Sequence, residues 1–237
     1  MNLRSRSTTG PPAGRLPPPM MPRLGMVTQL VLRGDGLTTT SLEILTGRTV
    51  RTSVRAHWHL PLHQQFRDMT TDDDQYTGSP PAEPGRFAQV GFSTLAAGVD
   101  DELLIRDIDL IGSDERCGQT MVLAAATVVA VMSVLPSSTA HLLGTTDQPI
   151  GRLLADEHVQ VRRELARWGL RPAGHLGERL GVGPDSWVPA RSYLMRAVSG
   201  SRPLAVIEEW FAPSVFEVQE PGPGGRRSRS GPARRHR

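Results

Sequence analysis

Two pairs of alternating apolar segments are joined by turns too short for anything but a reversal of direction. "ELLIRDIDLIG" (102–112) and "QTMVLAAATVVAV" (119–131) are linked through "SDERC", and "SWVPARSYLMRAV" (186–198) and "PLAVIEEWFA" (203–212) through "SGSR". Parallel neighbours need a crossover of about a dozen residues or more, so both pairs must be antiparallel hairpins. "QTMVLAAATVVAV" is apolar on both faces, as a strand covered on both sides should be. "RTVRTSVRAHWHL" (48–60) and "RFAQVGFSTL" (86–95) read as further strands, and "VQVRRELARWGL" (159–170) fits either strand or helix. "TTTSLEILTG" (38–47) reads as a short helix with a Thr cap, stopped by Gly47. A second helix is expected to start near Pro149, after a loop that includes 141–148, and a third over "AGHLGERLGV" (173–182). Hairpins outnumbering crossovers predict an α+β domain, a mainly antiparallel β-sheet with helices covering an enclosed ligand pocket.

Strand alternation sorts the charged residues by face. In "PLAVIEEWFA", Leu204, Val206, Glu208 and Trp210 share one side, while Ala205, Ile207, Glu209 and Phe211 share the other. Both sides are apolar, so at least one of the adjacent glutamates must face a dry interior. In "LLIRDIDL", Arg106 lies with Leu104, Ile108 and Leu110, and Asp107 and Asp109 mark the opposite face as solvent. Burying an unpaired cation costs several kcal/mol. Arg106 therefore calls for an anion: either Glu209, in a structural pair, or a ligand carboxylate, which a planar guanidinium fits well.

Charge separates the tails from the body. Ten of the 27 basic residues, all of them Arg, lie in 1–25 and 221–237, where no acid stands. The middle then carries 17 basic against 24 acidic residues, which is not the broad basic face that phosphate contacts require. The pI near 9.9 belongs to the tails. Residues 1–25 and 220–237 are read as disordered, with residues 26–219 as one domain; Met20, Met21 and Met26 are alternative starts. The chain has no Lys, which removes Schiff-base chemistry, and Cys117 is alone, so no internal disulfide can form. No signal-like segment opens the chain, and the longest apolar run, 121–135, is short for a membrane span. A cytoplasmic protein, monomer or small homo-oligomer, with a small-molecule partner and neither a specific nucleic acid nor a membrane, is expected. His57, His59 and His63 in "HWHLPLH" have no Cys or acid at a ligand spacing, so neither a metal nor another cofactor is expected.

The ordered run "GDGLTTTSLEILTG", "LLIRDIDL", "VLAAATVVAV", "TDQPIGRLL" and "RSYLMRAVSGSRPLAVIEEWFAP" resembles the bacterial chorismate lyase (chorismate pyruvate-lyase) family over roughly residues 27–217. The same fold serves as the effector-binding domain of many winged-helix bacterial repressors, but residues 1–25 are too short and Pro-rich for a helix-turn-helix. The resemblance implies a cofactor-independent carbon–oxygen lyase that converts chorismate to 4-hydroxybenzoate and pyruvate. It implies Arg106 as the anchor of the ring carboxylate and Glu209 as the partner of the ring hydroxyl. Glu209 would give a proton or hydrogen bond to the departing enolpyruvyl ether oxygen. Leu37 and Ile150 would contribute mainly through backbone, and Ala125 would be the small residue of the middle strand. One departure stands out: Ala126 occupies a position where these lyases commonly carry Arg or Glu. A secondary-metabolite (polyketide-type) cyclase on the same fold and a non-catalytic effector domain are the alternatives.

Overall fold

A computed structural model describes residues 24–34, 36–63, 90–114, 118–200 and 202–216. Both Arg-bearing tails, the acidic stretch 67–85 and Cys117 lie outside the described residues. The elements are α1 (Met26–Arg33), α2 (Thr38–Thr46), β1 (Thr49–Pro61), β2 (Glu102–Ser113), β3 (Thr120–Val131), α3 (Ser137–Thr145), α4 (Ile150–Asp156), β4 (Val161–Pro172), β5 (Trp187–Ala197) and β6 (Pro203–Phe211).

The six strands form one sheet in the order β1-β2-β3-β6-β5-β4, antiparallel at every step. It is two three-strand meanders, β1-β2-β3 and β4-β5-β6, joined along a seam where β3 pairs β6. The seam needs no side-chain bulk: Ala124, Ala125, Ala126 and Ala130 of β3 are almost fully buried against β6. One face carries the main core with α2, α3 and α4. A second cluster, Leu103, Ile105, Val129 and Val131 with Leu60, Leu62 and Leu95, fills part of the other face. The expected α+β class and antiparallel sheet are what the chain forms.

Several local expectations are corrected. Residues 90–93 of the expected strand 86–95 form a helical turn. There Gly91 packs so closely on Leu103 that an added Cβ would lie 2.7 Å from its Cδ1. The stretch 173–182 holds a 3₁₀ turn, Gly174–Leu176, followed by turns. Gly174 (φ 56°) and Gly181 (φ 71°) lie in the left-handed region, which breaks a continuous α-helix. The segment read as loop from 141 belongs to α3, which starts right after Pro136. The ambiguous stretch 159–170 is strand β4, paired along its length with β5. α2 has the expected span, but its N-cap is Leu37, and no side chain caps it.

A candidate carboxylate-binding cavity

A cavity of about 740 Å³ lies between the apolar face of the sheet and the helices. Its floor is Ile108 and Leu110 of β2, Ala126 and Val128 of β3, Ile207 and Glu209 of β6, and Tyr193 and Met195 of β5. The first turns of α2 and α4 and the α3–α4 connection close over it. Small Ala126 on the central strand is part of what leaves room for a ligand above the floor.

Arg106 and Glu209 both line this cavity, from strands about a hundred residues apart in sequence. They are on the same side of the sheet because β3 carries the alternation between them. Arg106 is opposite Val128, and Val128 opposite Ile207; Ile108 is opposite Ala126, and Ala126 opposite Glu209. Arg106 is 2% exposed and Glu209 3%. Glu208, one residue earlier, faces the other side, where Arg171 approaches it at 3.5 Å.

Arg106 and Glu209 do not pair with each other. Glu209 is held by Arg191, whose Nε donates to its Oε2 at 2.6 Å. Thr38 Oγ1 donates to Glu209 Oε1 at 2.7 Å, and the Tyr193 hydroxyl donates to the same oxygen at 3.3 Å. Arg191 Nη2 donates in turn to Thr38 Oγ1, and its Nη1 donates to the carbonyls of Val31 and Gly34 at the end of α1. One buried guanidinium thus ties α1, α2 and β6 together. The Thr38 hydroxyl, expected as a helix cap, is spent on the carboxylate. Burial opposes the charge on Arg191, but the adjoining Glu209 carboxylate outweighs it and holds the guanidinium above its ordinary range. Burial first, then the charge of Glu209, pushes the Tyr193 hydroxyl above the ordinary phenol range. Three donors thus converge on the Glu209 carboxyl, two on Oε1 and one on Oε2.

Arg106 is treated differently. Its Nη1 donates to the carbonyl of Gln148 at 2.9 Å and its Nη2 to that of Thr146 at 2.6 Å, while its Nε has no partner among the described residues. Among the described residues no carboxylate bonds it. Burial lowers the proton affinity of its guanidinium, and Asp147 pulls only partly the other way. A guanidinium has five N–H donors, and two backbone carbonyls leave most of them unspent.

Leu37, half exposed just before α2, and Ile150, buried at the start of α4, both line the cavity. Ala125 does not. It is fully buried, opposite Asp109 and Trp210, and points to the other face of the sheet; its neighbour Ala126 is the alanine that faces the cavity. On that other face Asp109 is also buried rather than solvated, because Arg179 bridges it and Asp107 at 2.5 and 2.7 Å. His59 pairs with Glu102 at 2.6 Å on the exposed end of β1.

Sequence reading missed Arg191 and Arg179. The first is hidden by the register: counting back equally from the "SGSR" turn puts Ser192 opposite Glu209, whereas the observed pairing, shifted between Met195 and Arg196, puts Arg191 there. The second comes from the turn-rich segment after β4, whose docking on β2 no periodicity announces.

Fold and site together define an α+β domain with a cavity whose wall carries the buried guanidinium of Arg106. A family model described as chorismate pyruvate-lyase Rv2949c-like matches residues 117–219. The similarity to that family thus includes Ala125, Ile150 and Glu209 and begins after Leu37 and Arg106. Among curated proteins no sequence matches the chain. Solved structures similar to it include PhnF from Mycobacterium smegmatis, at 11% identity and TM-score 0.49, covering 77% of this chain and 66% of that one. Another is a GntR-family transcriptional regulator from Enterococcus faecalis, at 10% identity and TM-score 0.42, covering 70% and 96%.

Proposed function

We propose that the chain is a chorismate pyruvate-lyase-like enzyme that releases 4-hydroxybenzoate and pyruvate. The observation that carries this reading is Arg106: a buried cation, bonded among the described residues to backbone carbonyls, in the wall of a cavity with an apolar floor. Such a group is stabilised by an incoming carboxylate, and bidentate geometry would fix an aromatic acid in one orientation. The matched family model supports the choice of chorismate.

The elimination balances without a cofactor. The ring carbon–oxygen bond to the enolpyruvyl group breaks, and its electron pair leaves with the ether oxygen as enolpyruvate, which becomes pyruvate. The adjacent ring carbon, which bears the hydroxyl, loses its proton, and the ring becomes aromatic. Arg106 anchors the ring carboxylate. Glu209, ion-paired to Arg191, accepts from the ring hydroxyl or takes the departing ring proton. Leu37 and Ile150 lie where they can bound the substrate by backbone.

The test is release of pyruvate from chorismate by the purified chain, followed by a coupled reduction to lactate. Arg106→Met should cut turnover at least about a hundredfold, the scale of losing a positioning contact in a buried site. No pyruvate from the unaltered chain would overturn the reading. A second reading, binding of an aromatic acid without turnover, is favoured by one observation: Glu209 already has three donors around it. Tight 4-hydroxybenzoate binding with no pyruvate release would decide for it.

A further inference from the structure

The departing oxygen of the proposed elimination needs a proton, and Glu209 is surrounded as a group that accepts one. Its Oε2 is ion-paired to Arg191 at 2.6 Å, and its Oε1 accepts from Thr38 at 2.7 Å. Of the described side chains that β3, β5 and β6 contribute to the cavity lining, Tyr193 has the one hydroxyl; its companions are Ala126, Val128, Met195, Ile207 and Glu209 itself.

Two features make that hydroxyl available. Thr38 is already committed, accepting from Arg191 Nη2 at 2.8 Å while it donates to Glu209. The Tyr193 hydroxyl meets Glu209 Oε1 at 3.3 Å, longer than an O–H···O bond at full strength. It is the loosest of the three contacts on the carboxyl, and a phenol O–H can turn about its C–O bond. Strand register supplies the second feature. Arg106, Val128, Ile207 and Tyr193 stand opposite one another in a single row across β2, β3, β6 and β5. The row covers three strand spacings, roughly 14 Å between backbones on a flat sheet. Glu209 lies in the next row on the same face, with Ile108 and Ala126. An aromatic acid held at Arg106 and laid over Val128 and Ile207 therefore points its far end along the row at Tyr193, with Glu209 beside it.

We infer that, in the lyase reading on which this role rests, Tyr193 is the catalytic acid: its hydroxyl gives a proton to the ether oxygen of the departing enolpyruvyl group and takes back the proton that Glu209 removes from the ring. As the hydroxyl turns to the ether oxygen it opens a lone pair on Glu209 Oε1, since Thr38 occupies only the other. That lone pair takes the proton of the ring carbon that bears the hydroxyl. The C–H electron pair becomes the third ring double bond. The ring C–O pair goes with the ether oxygen, which leaves, protonated by Tyr193, as the enol of pyruvate. The phenolate then recovers the proton from Glu209. One proton has passed from carbon to oxygen, and both side chains end as they began. Burial, and then the charge of Glu209, hold the phenol neutral at rest. Once Glu209 has taken the ring proton the second of these causes is gone, and the phenol is more acidic when its proton is needed.

The experiment follows single-turnover pyruvate release from chorismate by the full chain, so that product release does not mask the chemical step. Tyr193→Phe should slow it about a hundredfold while 4-hydroxybenzoate binding changes less than about threefold. Tyr76 is the chain's one other tyrosine, so growth on 3,5-difluorotyrosine in a Tyr76→Phe background alters the Tyr193 phenol alone. Fluorine makes the phenol more acidic at little cost in size, so the rate should rise about threefold or more. A phenol that only props Glu209 would leave it unchanged. This second arm decides alone if Tyr193→Phe does not fold. A Tyr193→Phe rate within about threefold of the parent's, or a rate that fluorination leaves alone or lowers, would overturn the inference and keep the lyase. A parent chain that releases no pyruvate would overturn both.

Discussion

Arg191 and Arg106 are both 2% exposed, both on the cavity-side face of one sheet, and opposite in what surrounds them. Arg191 has a carboxylate, a hydroxyl and two helix-end carbonyls within hydrogen-bond reach, and its ring contacts with Tyr193 and Phe211, at 5.1 and 5.9 Å, complete the enclosure. Arg106 has two loop carbonyls and an unpartnered Nε. The first is a lock, with four of its five donors serving the fold. The second is held in place yet chemically incomplete, and incompleteness of a buried cation is what a receptor for an anion requires. Burial alone would have ranked the two alike; only the count of spent donors tells them apart.

Substitutions can break that distinction. The largest stability effect should come from Arg191→Leu, which leaves Glu209 buried without its counter-ion and should cost about 3–5 kcal/mol. A urea midpoint shift equivalent to under about 1 kcal/mol would show that the lock is not one. By the same argument Glu209→Ala strands Arg191 and should destabilise the chain. Next, Arg179→Leu leaves the buried Asp109 to the longer 3.8 Å approach of Arg55 while Asp107 still reaches water, for a loss of about 2 kcal/mol. Arg106→Met should move stability by less than about 1 kcal/mol in either direction, because no carboxylate is left behind and the freed carbonyls of Thr146 and Gln148 are not buried. Its loss of ligand binding with an unchanged denaturation curve would sharpen the contrast most. Smallest is Glu208→Gln, which gives up a partly exposed 3.5 Å approach to Arg171 and should cost no more than about 1 kcal/mol.

Periodicity of two was enough to put Glu208 and Glu209 on opposite faces and Arg106 on the apolar face of its strand, while the choice of Glu209 as the inner one came from the resemblance. Turn length was enough to pair β2 with β3 and β5 with β6, and the Thr-rich start and Gly47 bounded α2. What stayed hidden depends on contacts remote in sequence. Alternation assigned Asp109 to solvent because it cannot know that Arg179, seventy residues on, covers that face. Glu209 seemed a natural counter-ion for Arg106 because no local pattern says that Arg191 has already claimed it, and the register shift between Met195 and Arg196 hides that pairing from a count back from the turn. The small residue of β3 was misplaced by one, Ala125 for Ala126, since in a run of three alanines composition gives no parity; only the neighbours across β2 and β6 do.

The seam between the two meanders has a consequence for assembly of the molecule. Arg106 comes from the amino-terminal meander and Glu209 from the carboxy-terminal one, so neither half owns a binding site. Pairing β3 with β6 brings together segments some eighty residues apart, a costly closure that local hairpins do not need. On the proposed function, a nascent or partly unravelled chain would be blind to its ligand, and added ligand would pull a marginal population toward the closed seam by mass action. Occupancy of the cavity is, in effect, a proofreading signal that both halves have met.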